Sequence, residues 1–297
     1  MLIKTDVTDI GDPFVLYDGG KYYMYATSSP EGFFVWESDN LTDWTKRGFC
    51  YKMSDASFGR ADFWAPEVVK KDGVYIMHYT AKSKALNSLR IGVARSLSPL
   101  GPFTDVTAGE PMFDFGYAVI DATVFTDTDG SPWLYYVRDC SQNVIDGVHT
   151  SQIYAVRLDS SLTRPVGNPA FICTPTQGWE VGTRPGWQWN EAPFVIKHAG
   201  KYFLTYSGNC FDDPRYGIGL ATAATPLGPF VKSSKNPILS QAQGDFSGPG
   251  HHCFFRDRSG ALMAAFHIHT DPAAPSGNRR LCLCPVTLTP SDIIFNL

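Results

Sequence analysis

Apolar and polar residues alternate along most of the chain with the period of a strand, and the alternation recurs in five similar units. They are DPFVLYDGGKYYMYATS from Asp12, APEVVKKDGVYIMHYTA from Ala65, DATVFTDTDGSPWLYYV from Asp121, APFVIKHAGKYFLTYSG from Ala192 and HHCFFRDRSGALMAAFH from His251. In each, a special residue leads into a short β-branched or aromatic run, then a turn, then a second aromatic-rich run. The Asp-Gly, Ala-Gly or Ser-Gly step between the runs predicts a hairpin. A second element follows downstream: VARSLSPLGPF at 93–103 and LATAATPLGPF at 220–230, with weaker copies at 35–44 and 154–162.

The five starts lie 53, 56, 71 and 59 residues apart. Several short strands per unit at such a period predict an all-β fold, a five-bladed β-propeller filling residues 1–297 as a single domain. No segment carries a helical period, and 27 Gly and 21 Pro punctuate the chain throughout. The last residues, VTLTPSDIIFNL, are expected to return as the outer strand that closes the ring. A two-sheet sandwich is the structural alternative.

The repeat also brings polar residues together. Aligned on Val15, Val68, Val124, Val195 and Phe254, the first positions are Asp12, Ala65, Asp121, Ala192 and His251. The innermost strand of each propeller blade runs beside the central channel, so equivalent positions converge on one axis. Asp12, Asp121 and His251 should therefore meet at one channel mouth. Glu191 and Trp64 stand one residue ahead of that position and should sit at the rim. Alone, an Asp before Pro is a turn former and a His at a strand start is a structural group. Convergence imposed by a repeat outweighs either.

Composition narrows the function. Hydrophobic content of 43% and charged content of 18% favour a packed core over disorder. A net charge of −4 with no basic cluster leaves no electrostatic footprint for nucleic acid. No apolar run reaches membrane-spanning length, so no membrane partner is expected. Aromatic residues make up 14%, which suits sugar stacking and β-sheet cores alike. Seven cysteines without a CxxC motif, and no apolar segment of signal-peptide type at the start, point to free thiols and a cytoplasmic location, with secretion as the alternative.

Several polar residues read as structural. Glu67 lies two positions past the aligned site. Asp127, Asp129 and Asp257 fall at turns. His267 and His269 alternate on one strand without a third ligand nearby, and His252 is at most pocket-lining. GIGLA at 217–221 leads into a strand and makes no nucleotide site.

The ordered set GDPFV, WAPEV, DATVF, NEAPFV and GPGHH resembles glycoside hydrolase family 43 over essentially the whole chain. The departure is Ala192, where many members carry Gly after the acid. The resemblance implies a hydrolase of α-L-arabinofuranosides or β-D-xylosides acting with inversion on hemicellulose-derived chains. Asp12 would be the general base, Glu191 the general acid, and Asp121 the third carboxylate that holds the acid and raises its pKa. His251 would orient a calcium or sodium ion in the channel through water, with no organic cofactor. Arg279, with Arg280 as its rival, would bind sugar; Trp64 and Phe33 or Phe34 would wall the glycone pocket.

That chemistry requires one protonated and one ionised carboxyl across the scissile bond. Trp187 and Trp189, with Trp179 before them, are expected to supply apolar surroundings to the acid. The loop GWEVGTRPGWQW is either a leaving-group platform that includes Trp189 or a set of core aromatics. The partner is an oligosaccharide or polysaccharide, and nothing fixes the oligomeric state. An endo-acting arabinanase, a galactan-cleaving relative and a non-catalytic carbohydrate-binding propeller are the rival readings.

Overall fold

The computed structural model describes all residues 1–297. Five antiparallel sheets, four of four strands and one of five, are arranged as the blades of a propeller. Their inner strands are Gly11–Asp18, Gly59–Lys71, Val119–Thr126, Asn190–His198 and Gly250–Arg256. Each predicted hairpin is the inner pair of one blade, for example Gly11–Asp18 with Lys21–Thr27 and Asn190–His198 with Lys201–Gly208. Aromatic and β-branched side chains pack where facing blades meet. Phe33, Tyr51, Phe63 and Tyr79 form one such fully enclosed contact between the first two blades.

The ring closes differently from the sequence expectation. The outer strand of the fifth blade is Ile3–Lys4, paired with Leu283 and Cys282. The C-terminal Ile293–Phe295 pairs farther along the same strand, against Val286–Leu288. Only two edges exist on Arg279–Leu288, and Leu262–His269 takes one. Both chain ends therefore share the other. All seven cysteines are free and buried, and no helix is long and apolar enough to cross a membrane.

Every inner strand breaks its pairing register at the same place: Gly11/Phe14, Trp64/Glu67, Ile120/Thr123, Glu191/Phe194 and Gly250/Cys253. The residue in the bulge is the aligned one. Asp12, Ala65, Asp121, Ala192 and His251 all have positive φ, between 42° and 55°. Such backbone is uncommon outside glycine, and its fivefold repetition marks a built feature.

A bulged N–H has no ladder partner and needs an acceptor. In four of five cases a side chain of the preceding blade's second strand supplies it. Thr27 accepts from Ala65 at 2.9 Å, Thr80 from Asp121 at 3.1 Å, Ser207 from His251 at 2.8 Å, and His267 from Asp12 at 3.2 Å. At the third blade the equivalent register position is Val137, opposite Ile120, and valine cannot accept. There the Ala192 N–H donates to Asp121 Oδ2 at 3.0 Å instead. The hydrogen bonds thus run from blade to blade around the whole channel mouth.

One insertion lies beside the segment that precedes Glu191. Val144–Ile145 and Val148–Thr150 form a small hairpin whose second strand pairs in parallel with Trp187–Gln188, just ahead of the fourth inner strand.

Candidate active site

The bulges set what the channel mouth contains. Asp12 Oδ1 meets Arg279 Nη1 at 2.9 Å, His251 Nδ1 at 3.2 Å and His267 Nδ1 at 3.7 Å. Its other oxygen accepts from the Thr27 hydroxyl at 2.5 Å. Burial alone would raise the Asp12 carboxyl. The Arg279 guanidinium, then His251 and the Thr27 hydroxyl, outweigh it and hold Asp12 well below the usual carboxylate range. His267 itself is driven down, by burial first and then by Arg279. A neutral ring fits its acceptance of the Asp12 N–H at Nδ1.

Gly11 makes this crowding possible. A Cβ there would lie 1.9 Å from Arg279 Nη2, so the guanidinium rests directly on bare backbone. Arg279 also lies over the Phe211 ring at 5.0 Å. It is the counter-charge of Asp12 and also lines the cleft beside it. Arg280 points to the opposite face of its strand.

Glu191 is in the opposite state. Burial is the largest cause, the charge of Asp121 adds to it, and together they hold the Glu191 carboxyl well above its ordinary value. The Tyr216 hydroxyl, donating to Glu191 Oε1 at 3.1 Å, opposes them. Asp121 lies between the two. Burial and the Asp12 charge raise it to about 6, while His251 and the Ala192 N–H pull the other way. The surroundings thus favour an ionised Asp12 and a protonated Glu191, with Asp121 tied to the backbone directly after Glu191.

The remaining expected residues divide. His251 reaches Asp12, as given above. Trp64, 36% exposed, lines a cleft of about 350 Å³ beside Asp12 with Ser28–Pro30, Asp62, Phe63, Gly277 and Arg279. Phe33 is a correction: it is fully buried between the first two blades and touches no cleft. Phe34 faces the other way, stacked on Phe49 at 4.1 Å beneath Lys46. Trp189 is also buried, 5% exposed, packed with Cys140, Cys210 and Trp187. It presents no open face to a sugar. Trp187 is half-buried, and the His149 ring covers it at 3.9 Å. Trp179 sits over Gly208 and Gly219, where only glycine leaves room, and stacks on Tyr206. It belongs to the fourth blade's core.

Three contributors escaped the sequence reading. Thr27 and Tyr216 touch Asp12 and Glu191, and no motif marks either. His267 was classed as structural, and it holds the Asp12 backbone. Behind the acid, the enclosed Glu180 pairs with Lys232 at 2.5 Å, and Lys232 also donates to Asn190 Oδ1 at 2.7 Å, next to Glu191. His269 turns to Ser247 and the Phe211 carbonyl. No three His, Cys, Asp or Glu side chains converge as direct metal ligands. The Nδ1 of His251 is engaged by Asp12, so its Nε2 is left to hold an ion through water.

The profile of Glycosyl hydrolases family 43 matches residues 7–294. The crystal structure of a thermostable family-43 glycoside hydrolase superposes with a TM-score of 0.93 at 43% identity, covering 99% of this chain and 95% of that one. The endo-arabinase of Bacteroides thetaiotaomicron superposes with a TM-score of 0.80 at 26% identity, covering 97% and 98%. The extracellular exo-α-(1→5)-L-arabinofuranosidase of Streptomyces avermitilis is 28% identical over 270 residues, which are 82% of this chain and 51% of that protein. The chain thus spans about half the length of this last relative.

Proposed function

Because the chain belongs to glycoside hydrolase family 43, we propose that it removes terminal α-L-arabinofuranosyl or β-D-xylosyl residues from hemicellulose-derived oligosaccharides, with inversion. The observation that carries this reading is the contrast in surroundings at one channel mouth: Arg279 and the Thr27 hydroxyl on Asp12 favour its charge, while burial and Asp121 disfavour the charge of Glu191. Glu191 gives its proton to the glycosidic oxygen as the bond to the leaving group breaks. Asp12 takes a proton from the water that attacks the opposite face of the sugar. Inversion calls for a carboxyl separation of roughly 6.5–9.5 Å, room for that water. Asp121 raises the proton affinity of the acid by its charge and anchors the acid's neighbour by its hydrogen bond. A cation held by His251 through water would reinforce the ionisation of Asp12.

Likeness to an exo-α-(1→5)-L-arabinofuranosidase supports the exo reading. The cleft beside Asp12, about 350 Å³ and bounded by segments of the first, second and fifth blades, is near the lower end of ligand pockets. Likeness to an endo-arabinase favours the second reading, an endo-acting arabinanase. A non-catalytic binding propeller would need neither a proton-bearing carboxyl nor its ionised counterpart.

The test uses aryl α-L-arabinofuranosides and β-D-xylosides with leaving groups of graded pKa. Glu191→Gln should lose about a hundredfold or more on poor leaving groups and little on activated ones. It should also lose the alkaline limb of the pH profile. NMR of the first product should show the inverted anomer. A retained anomer, or equal activity of Glu191→Gln on every leaving group, would overturn the assignment. Release of single sugars from arabinan without internal cleavage separates exo from endo action.

A further inference from the structure

The four side chains that accept a bulge N–H are not equivalent in what their own hydrogens do. A hydroxyl has one hydrogen and two lone pairs. Thr27, Thr80 and Ser207 each spend a lone pair on the next blade. The aligned residue in the blade of Thr80 is Ala65, and in the blade of Ser207 it is Ala192; neither side chain can accept. In the blade of Thr27 it is Asp12. With its oxygen fixed by the Ala65 N–H, Thr27 has its hydrogen free for Asp12 Oδ2, at 2.5 Å. That length falls in the range of a hydroxyl bound to a carboxylate.

We propose that Thr27 is a positioning residue for the base, its hydroxyl locking the plane of the Asp12 carboxylate so that one lone pair stays aimed at the attacking water. The inference rests on the reading of Asp12 as base. Arg279 and His251 bind Oδ1 from the fifth blade, and His267 holds the Asp12 N–H. Asp121 and Glu191 face it from the third and fourth blades, with Tyr216 beside Glu191. All the contacts from the fifth blade fall on Oδ1 or the backbone. Thr27 alone supplies a hydrogen bond to Oδ2, and a carboxylate gripped at both oxygens cannot rotate. Positioning acts in the transition state, so its loss should appear in kcat and not in KM.

Thr27→Val keeps the shape and removes the hydroxyl; Thr27→Ser keeps both hydrogen bonds. On the graded arylglycosides, below the melting temperature of each protein, Thr27→Val should lose about tenfold or more in kcat with KM little changed. The loss should be the same for every leaving group, because the acid is untouched, and Thr27→Ser should recover most of it. Thr80→Val removes only a bulge acceptor and reports the structural share through its melting temperature. Should Thr27→Val not fold, Thr27→Cys, with its weak S–H donor, carries the same test. Three results would overturn the proposal: kcat within twofold of wild type, a loss that grows with leaving-group pKa, or no recovery in Thr27→Ser. Asp12→Asn is measured alongside. Wild-type turnover in that variant would instead remove the base itself, a distinct failure.

Discussion

Glu67 is a carboxyl in the second inner strand with no cation beside it. Burial pushes it up to about 8, Asp121 adds to the push, and the Thr123 hydroxyl opposes. Between the ordinary glutamate value and about 8 the folded chain keeps a proton that the unfolded chain has released. Stability must therefore fall as pH rises through that window. Glu67→Gln removes the titration, so its melting temperature should gain on wild type steadily from pH 5 to pH 8. A constant difference across that range would show that Glu67 does not hold its proton. The sequence places Asp12, Asp121 and His251 at one repeat position, the bulge of the structure, with Glu191 one residue ahead of it and Glu67 two residues past it. It failed at Phe33 and Phe34. Adjacent strand residues face opposite ways, and when both are phenylalanine nothing local says which faces the core.

At the scale of elements, hairpins were legible because their turns carry glycine and their runs alternate. The bulges were not. Their residues are Asp, Ala, Asp, Ala and His, and only cross-strand register reveals that they share one backbone shape. Thr27 was invisible for the same reason: it meets Asp12 only because a bulge sets Gly11 opposite it. The fourth blade depends on a second hidden device. Lys232, in that blade's outer strand, joins the enclosed Glu180 to Asn190 at the start of its inner strand. Lys232→Met should cost about 3 kcal/mol, since it leaves a buried carboxylate unpaired. Urea unfolding measures this. A change below about 1 kcal/mol, the scale of an exposed ion pair, would mean that water replaces the lysine.

Over the whole molecule, the number of blades followed from the period, while the manner of closure did not. An edge strand of two residues, Ile3–Lys4, carries too little pattern to be recognised. The blade-to-blade hydrogen bonds have one irregular step, at Val137. Four seams are closed by residues that need no part in proton transfer, or only a supporting one. The seam between the third and fourth blades is closed by Asp121 itself. Asp121→Ala should therefore lower both activity and melting temperature, and adding Val137→Thr should recover the temperature alone. No recovery would show that position 137 cannot reach the Ala192 N–H. This arrangement constrains descent. A gene copy released from catalysis cannot shed Asp121 freely, because the loss opens the ring. A lineage that turned this scaffold into a mere sugar binder would be expected to acquire a hydroxyl at 137 first, leaving that substitution as the trace of an abandoned enzyme.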